Sequence, residues 1–208
     1  MLVNLVKPRW WYMEIPRTGS STMDRVLRQV FPTAEAIYPK HWPIRPEDKY
    51  NLFGAAARAF TTVRNPYSRA VSCWQYFTRP GEVSFHKWTE DRLCYGFRDV
   101  QVEAQPQAIW LRVYPWDRML RQENLDEDFY DLVGTLTDWK FQLNRSELPR
   151  FNDINGPWVN RLREKTSRDR PWQDYYCPQS IENVRKIYAD DFWMLSDIYQ
   201  ANFPGDLV

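Results

Sequence analysis

The stretch from Trp10 to Phe31 constrains this chain more than any other, because its hydrophobic period changes within a few residues. Trp10 to Ile15 is aromatic and apolar, which suits a buried strand. Pro16 ends that strand, since proline has no N–H to donate to a sheet ladder. Arg17, Thr18, Gly19, Ser20, Ser21 and Thr22 follow. Then Met23, Val26, Leu27, Val30 and Phe31 recur at helical spacing. The expected unit is therefore strand, tight loop, helix, with hydroxyl residues at the helix mouth.

A helix start offers unpaired N–H groups and the positive end of its dipole, which suit a phosphate or sulfate. Arg17 adds a permanent charge on a forked donor. The same residues also fit an N-capped helix in an ordinary α/β core, since Ser and Thr are common caps. The pattern is not that of a nucleoside-triphosphate P-loop, because it has one glycine and no Gly-Lys-Ser/Thr ending.

With 28 basic and 27 acidic side chains the net charge is +1, so no overall field recruits nucleic acid or an anionic membrane. Anion binding has to come from local placement. The 208 residues fit one domain spanning 1–208 with a sizeable core. Eleven Trp and 16% aromatics point to heavy core packing or stacking surfaces. Cys73, Cys94 and Cys177 are too few for a disulfide scaffold and lack metal spacing, so they read as small buried residues in a reducing compartment and no metal is expected. No apolar run approaches the ~18 residues of a membrane span. The opening Met1 to Pro8 is short and interrupted for a signal peptide. A cytoplasmic location is expected, although a lumenal domain apart from its anchor would look the same.

Further along, Ala34 to Tyr38 reads as a weak strand running into a loop that carries Lys40 and His41. Pro46, Glu47 and Asp48 mark a helix start, continuing to about Arg58. Ala59 to Val63 is a compact β-rich run broken at Arg64-Asn65-Pro66, after which Tyr67, Ala70, Val71, Trp74 and Phe77 supply a helical face. This is a second strand-to-helix junction with a cation at its strand's end. Phe85 to Tyr95 reads as helix, Ile109 to Tyr114 as strand, Met119-Leu120 as part of another, and Leu125 to Leu136 as helix. Alternating strands and helices predict an α/β fold, with a central, mostly parallel sheet flanked by helices. Ligands of such sheets sit beyond the carboxyl ends of the strands. Both junctions and His41 are expected there.

The segment from Arg145 to Arg170 is polar and carries Arg161, Arg163, Lys165, Arg168 and Arg170. It fits a solvated face or a flap over a polyanion. Pro178 opens a helix expected to run to about Leu195, with Ile181, Val184, Ile187, Tyr188, Asp191 and Phe192 on one face.

Several of these segments resemble one family. Ile15 to Thr22 resembles the 5′-phosphosulfate loop of sulfotransferases that use 3′-phosphoadenosine 5′-phosphosulfate (PAPS). Val63 to Ser72 is similar to their 3′-phosphate motif, an Arg (Arg64) followed eight residues on by a Ser (Ser72). Gln122 to Phe129 is similar to the family's mid-chain Glu-Asn-Leu segment. Leu148 to Asn152, and Tyr176-Cys177-Pro178 through Phe192, resemble the C-terminal signature of the carbohydrate branch, which includes the heparan 2-O- and HNK-1-type enzymes. One departure is that the family's loop usually carries Lys where this chain has Arg17. Arginine does not deprotonate, but a departing phosphate needs only a fixed positive charge.

The resemblance implies a P-loop-like nucleotide-binding topology and sulfuryl transfer to a hydroxyl on a small molecule or glycan. PAPS would be the donor and 3′-phosphoadenosine 5′-phosphate (PAP) the product. It implies that Arg17 bridges sulfate and 5′-phosphate, with Thr18, Gly19, Ser20, Ser21 and Thr22 as donors around it. Arg64 and Ser72 would hold the 3′-phosphate. His41 falls where the carbohydrate branch commonly places its base, with Glu14 and Asp48 as fallbacks, whereas His86 reads as structural or exposed. A P-loop kinase, a catalytically silent PAP-binding module and a Trp-rich glycan-binding protein are the rival readings.

Overall fold

A computed structural model of the chain describes residues 10–31, 58–79, 81–95, 102–113, 116–137 and 170–199. In chain order the elements are β1 (Trp10–Met13), α1 (Ser20–Val30), β2 (Arg58–Val63), α2 (Pro66–Phe77), α3 (Phe85–Tyr95), α4 (Ala108–Leu111), β3 (Arg118–Arg121), α5 (Leu125–Thr137), α6 (Pro178–Ile187), α7 (Ala189–Met194) and α8 (Ser196–Tyr199). Short 3-10 turns occupy Val102–Ala104, Gln122–Asn124 and Trp172–Tyr175. The described residues fall into two compact units. The first holds 10–31, 58–64, 109–113 and 116–137, and the second holds 65–79, 81–95, 102–108 and 170–199.

The first unit is built on a three-stranded parallel sheet in the order β1-β2-β3. Tyr12 lies opposite Phe60, and Thr62 opposite Leu120. One face of the sheet presents Trp10, Tyr12, Phe60 and Leu120. These pack against Met23, Val26 and Leu27 of α1 and Leu125, Phe129, Leu132 and Val133 of α5. That set is the helical stripe of residues 23–31 meeting the alternation of the strands. The rings of Tyr12 and Phe60 lie 5.2 Å apart, and those of Trp10 and Phe60 6.2 Å. At the other end of the sheet, Asp117 fixes the start of β3. Its Oδ2 accepts from Ala59 N at 2.8 Å, and its own amide donates to Ala59 O at 2.9 Å. Arg121 then forks onto Asp128 of α5, with Nε and NH2 at 3.0 and 2.7 Å from the two carboxylate oxygens.

In the second unit, α2 begins as the sequence suggests: Asn65 Oδ1 accepts from Tyr67 N at 2.9 Å and Pro66 takes the first turn. Tyr67, Ala70, Val71 and Cys73 of α2 pack with Phe85 and Trp88 of α3 and Ile181, Val184, Ile187 and Tyr188 at the C-terminal end. Arg69 is wholly buried, donating through NH2 to Glu103 O at 2.9 Å, with its guanidinium 5.7 Å from the centre of the Tyr188 ring.

Three local expectations change. The run beginning at Ile109 is helical at Ala108–Leu111 rather than a strand, because Asp191 Oδ1, 83 residues away, accepts the Ala108 N–H at 2.7 Å and so caps that turn. A short apolar run does not itself distinguish the two states. Arg58 opens β2 instead of closing a helix. The C-terminal helix divides at Tyr188 and again at Leu195, although Ile181, Val184, Ile187, Tyr188 and Asp191 are all buried as its periodicity predicts. The sections 34–57 and 138–169, with His41, Asp48 and most of the basic cluster, lie outside the described residues. Among the described residues no helix is long and apolar enough to cross a membrane.

Candidate functional site

Parallel strands place their carboxyl ends on one edge, and the residues leaving the first unit's sheet there are Glu14 after β1, Arg64 after β2 and Gln122 after β3. The β1 exit is secured by hydroxyls. Thr61 Oγ1 donates to Met13 O at 2.7 Å, holding the carbonyl at which the strand turns away. Thr18 Oγ1 donates to Ile15 O at 2.8 Å, closing the turn around Pro16. Behind it, Thr62 Oγ1 lies 2.9 Å from Thr18 Oγ1 and 3.0 Å from the Tyr12 hydroxyl. All three side chains have no solvent exposure. Burial pushes the Tyr12 phenol well above its ordinary range, so it stays protonated and able to donate.

This chain of hydroxyls fixes the loop from below and turns the Thr18 side chain inward. Thr18 therefore holds the loop's shape. Removing the Thr62 hydroxyl would take from the buried Tyr12 hydroxyl its partner and from Thr18 one of its two. Thr62→Val is expected to destabilise the fold by about 1–3 kcal/mol, measured as a lower denaturant midpoint, while Thr62→Ser retains most of the stability.

The loop itself has an unusual backbone. Arg17 has φ 65° and Gly19 φ 91°, so two left-handed residues alternate with Thr18. Glycine meets that demand at no steric cost, whereas an arginine there costs roughly 1 kcal/mol. Left-handed residues in tight turns recur in backbone anion nests. Gly19 is also the N-cap of α1, and no side chain caps the helix. Ser20, Ser21 and Thr22 are thus the helix's first turn rather than its cap. Among the described residues the amides of Thr18, Gly19, Ser20 and Ser21 donate to no backbone or side-chain acceptor. Ser20 is buried, Ser21 exposed and Thr22 half-buried. The ordinary reading of these residues, a hydroxyl-capped helix, is not how α1 begins.

Arg64, half-buried, reaches back from the end of β2, its NH1 donating to Arg17 O at 3.4 Å. The fold therefore brings together two of the expected anion ligands that are 47 residues apart. Glu14, considered as a fallback base, is 1% exposed. Ser72 lies in the second unit, on α2, and is 7% exposed.

The segment after β3 closes on the same loop. Gly19, Thr22, Gln122, Glu123, Asp126 and Glu127 are among the residues lining a cleft of ≈ 240 Å³. A Cβ on Gly19 would stand 3.2 Å from Gln122 Cγ, so the absence of a side chain lets the two segments approach. Sequence reasoning singled out both segments but gave no sign that they share a cleft. It also missed the Tyr12–Thr62–Thr18 chain, whose only trace in the sequence is a pair of threonines inside an otherwise apolar strand. Comparison of the chain with protein-family models, with curated proteins and with solved structures finds no match.

Proposed function

We propose that this chain is a PAPS-dependent sulfotransferase of P-loop-like topology, passing a sulfuryl group to a hydroxyl acceptor, by its resemblance a carbohydrate. The observation that carries the reading is the β1–α1 loop. It has left-handed Arg17 and Gly19, a helix start with no side-chain cap, and Arg64 drawn back onto the Arg17 carbonyl. An arginine in the loop and the positive end of the α1 dipole supply the positive charge a phosphosulfate requires.

In this reading the chemistry is positioning and charge stabilisation. The acceptor oxygen and the departing phosphate oxygen lie in line on either side of the sulfur, as in phosphoryl transfer. The Arg17 guanidinium neutralises charge building on the bridging oxygen, and the amides of Thr18 to Ser21 bind the non-bridging oxygens. By the resemblance, the 3′-phosphate, the group that separates this donor from ATP, falls to the motif that runs from Arg64 to Ser72. His41 takes the acceptor's proton. The cleft beside Gly19 has Glu123, Asp126 and Glu127 on its wall. Carboxylates repel phosphate and accept from hydroxyls, so this cleft suits an uncharged, hydroxyl-bearing group.

The donor assignment is tested by thermal denaturation with PAP, ATP and AMP. At about 100 times its dissociation constant, PAP contributes about 2.7 kcal/mol of stability by mass action, a rise of roughly 5–10 °C for a chain of this size. ATP and AMP are expected to shift the midpoint much less. Equal shifts from PAP and ATP would defeat the 3′-phosphate assignment. A PAP-specific shift with no sulfated product from a library of glycans and small alcohols would leave a silent binding module.

A further inference from the structure

The second unit holds a nucleophile, a base and a hydroxyl that the proposed transfer does not use. Cys177 is the N-cap residue of α6, with Pro178 at its first helical position. Its sulfur lies 3.7 Å from Nδ1 of His86, near the start of α3. Ser180 is wholly buried and fixed against the same residue. Its Oγ receives the Cys177 N–H at 2.8 Å, and its proton is shared between the Cys177 carbonyl oxygen at 2.9 Å and the sulfur at 3.5 Å. Both Cys177 and His86 are half-buried, so a small reagent can reach them.

We propose that Cys177 and His86 form a reactive thiol site, modified by small soft electrophiles, of which hydroperoxides are the natural class. The thiolate is the reactive form of cysteine, and a helix start with a neighbouring imidazole favours it. The Ser180 hydroxyl, then the Ser180 and Gln179 amides, hold the Cys177 thiol below its ordinary value against the opposing effect of burial. Cys73 has the opposite surroundings. It is wholly buried, out of reach of a reagent, and its Sγ lies 3.6 Å from the Glu103 carbonyl oxygen.

In the oxidation step, the sulfur lone pair attacks one peroxide oxygen, forming S–O as O–O breaks. The thiol proton passes by way of His86 Nδ1 to the departing oxygen, giving an alcohol, or water from hydrogen peroxide. Cysteine is oxidised by two electrons to a sulfenic acid and the peroxide is reduced by two.

The test uses the full chain at neutral pH, with iodoacetamide as the probe and peptide mass spectrometry as the readout. Cys177 is expected to alkylate about 10-fold faster in the folded protein than in the same chain unfolded in urea, whereas Cys73 is slower when folded. This comparison needs no variant. His86→Gln is expected to slow Cys177 several-fold with an unchanged melting temperature. Hydrogen peroxide followed by dimedone is expected to place the sulfenic adduct on Cys177 before Cys73. A folded-state rate at Cys177 equal to or below the unfolded rate overturns the site. An unaltered rate in a folded His86→Gln protein removes His86 from it, and no dimedone adduct on Cys177 removes the peroxide step.

Discussion

Arg17→Ala is expected to lose at least ~100-fold in turnover with PAPS and a working acceptor, the usual consequence of removing one transition-state donor from a preorganised site. Arg17→Lys should keep a substantial part of the activity, because charge survives although the fork is lost. The backbone makes the comparison informative. Arg17 sits at φ 65°, where glycine is at ease and arginine is strained. Arg17→Gly should therefore fold within about 1 kcal/mol of the parent, the relief of strain offsetting the freer unfolded chain, while losing activity as the alanine variant does. Initial rates and denaturant midpoints, measured together, separate the two roles. Alanine and glycine variants that turn over normally would reduce Arg17 to a residue of loop shape.

His41→Ala is the second large effect. It should lower turnover by ~100-fold or more while barely changing PAP affinity, since a general base acts on the acceptor's proton and not on the nucleotide. The chain has only two histidines, so the control is clean. His86 lies beside Cys177 in the second unit, and His86→Ala should leave turnover unaltered. Steady-state rates paired with PAP titrations decide it. Wild-type turnover in the His41→Ala protein would move the base elsewhere. Asp48 would then be the first residue to replace, because Glu14, at 1% exposure, lies away from solvent.

Local signals made much of the fold legible in the sequence. The change of period at Pro16 located β1 and α1, and Asn65-Pro66 located the start of α2. The apolar spacing of residues 125–136 and 181–192 identified the buried faces of the later helices. These are properties of neighbouring residues, set by pleat, helical period and proline stereochemistry, and a reader of the chain has access to all of them. Candidate ligands were legible for the same reason: Arg17 and Arg64 each stand at the end of an apolar run, where a cation is conspicuous.

Tertiary structure decided what depends on partners distant in sequence. The helical turn at Ala108–Leu111 exists because the Asp191 carboxylate arrives to cap it, and no window of residues around Ile109 contains that information. The inward turn of Thr18 depends on Thr62, 44 residues away, and the approach of Gln122 to Gly19 depends on β3 pairing with β2. The left-handed conformation at Arg17 is likewise a property of the closed loop, since arginine by itself avoids it. Sequence alone thus determined which residues are chemically able to bind an anion. The fold determined which donors are left for one, because a backbone amide is available to a ligand only where no distant carbonyl or side chain has come to occupy it.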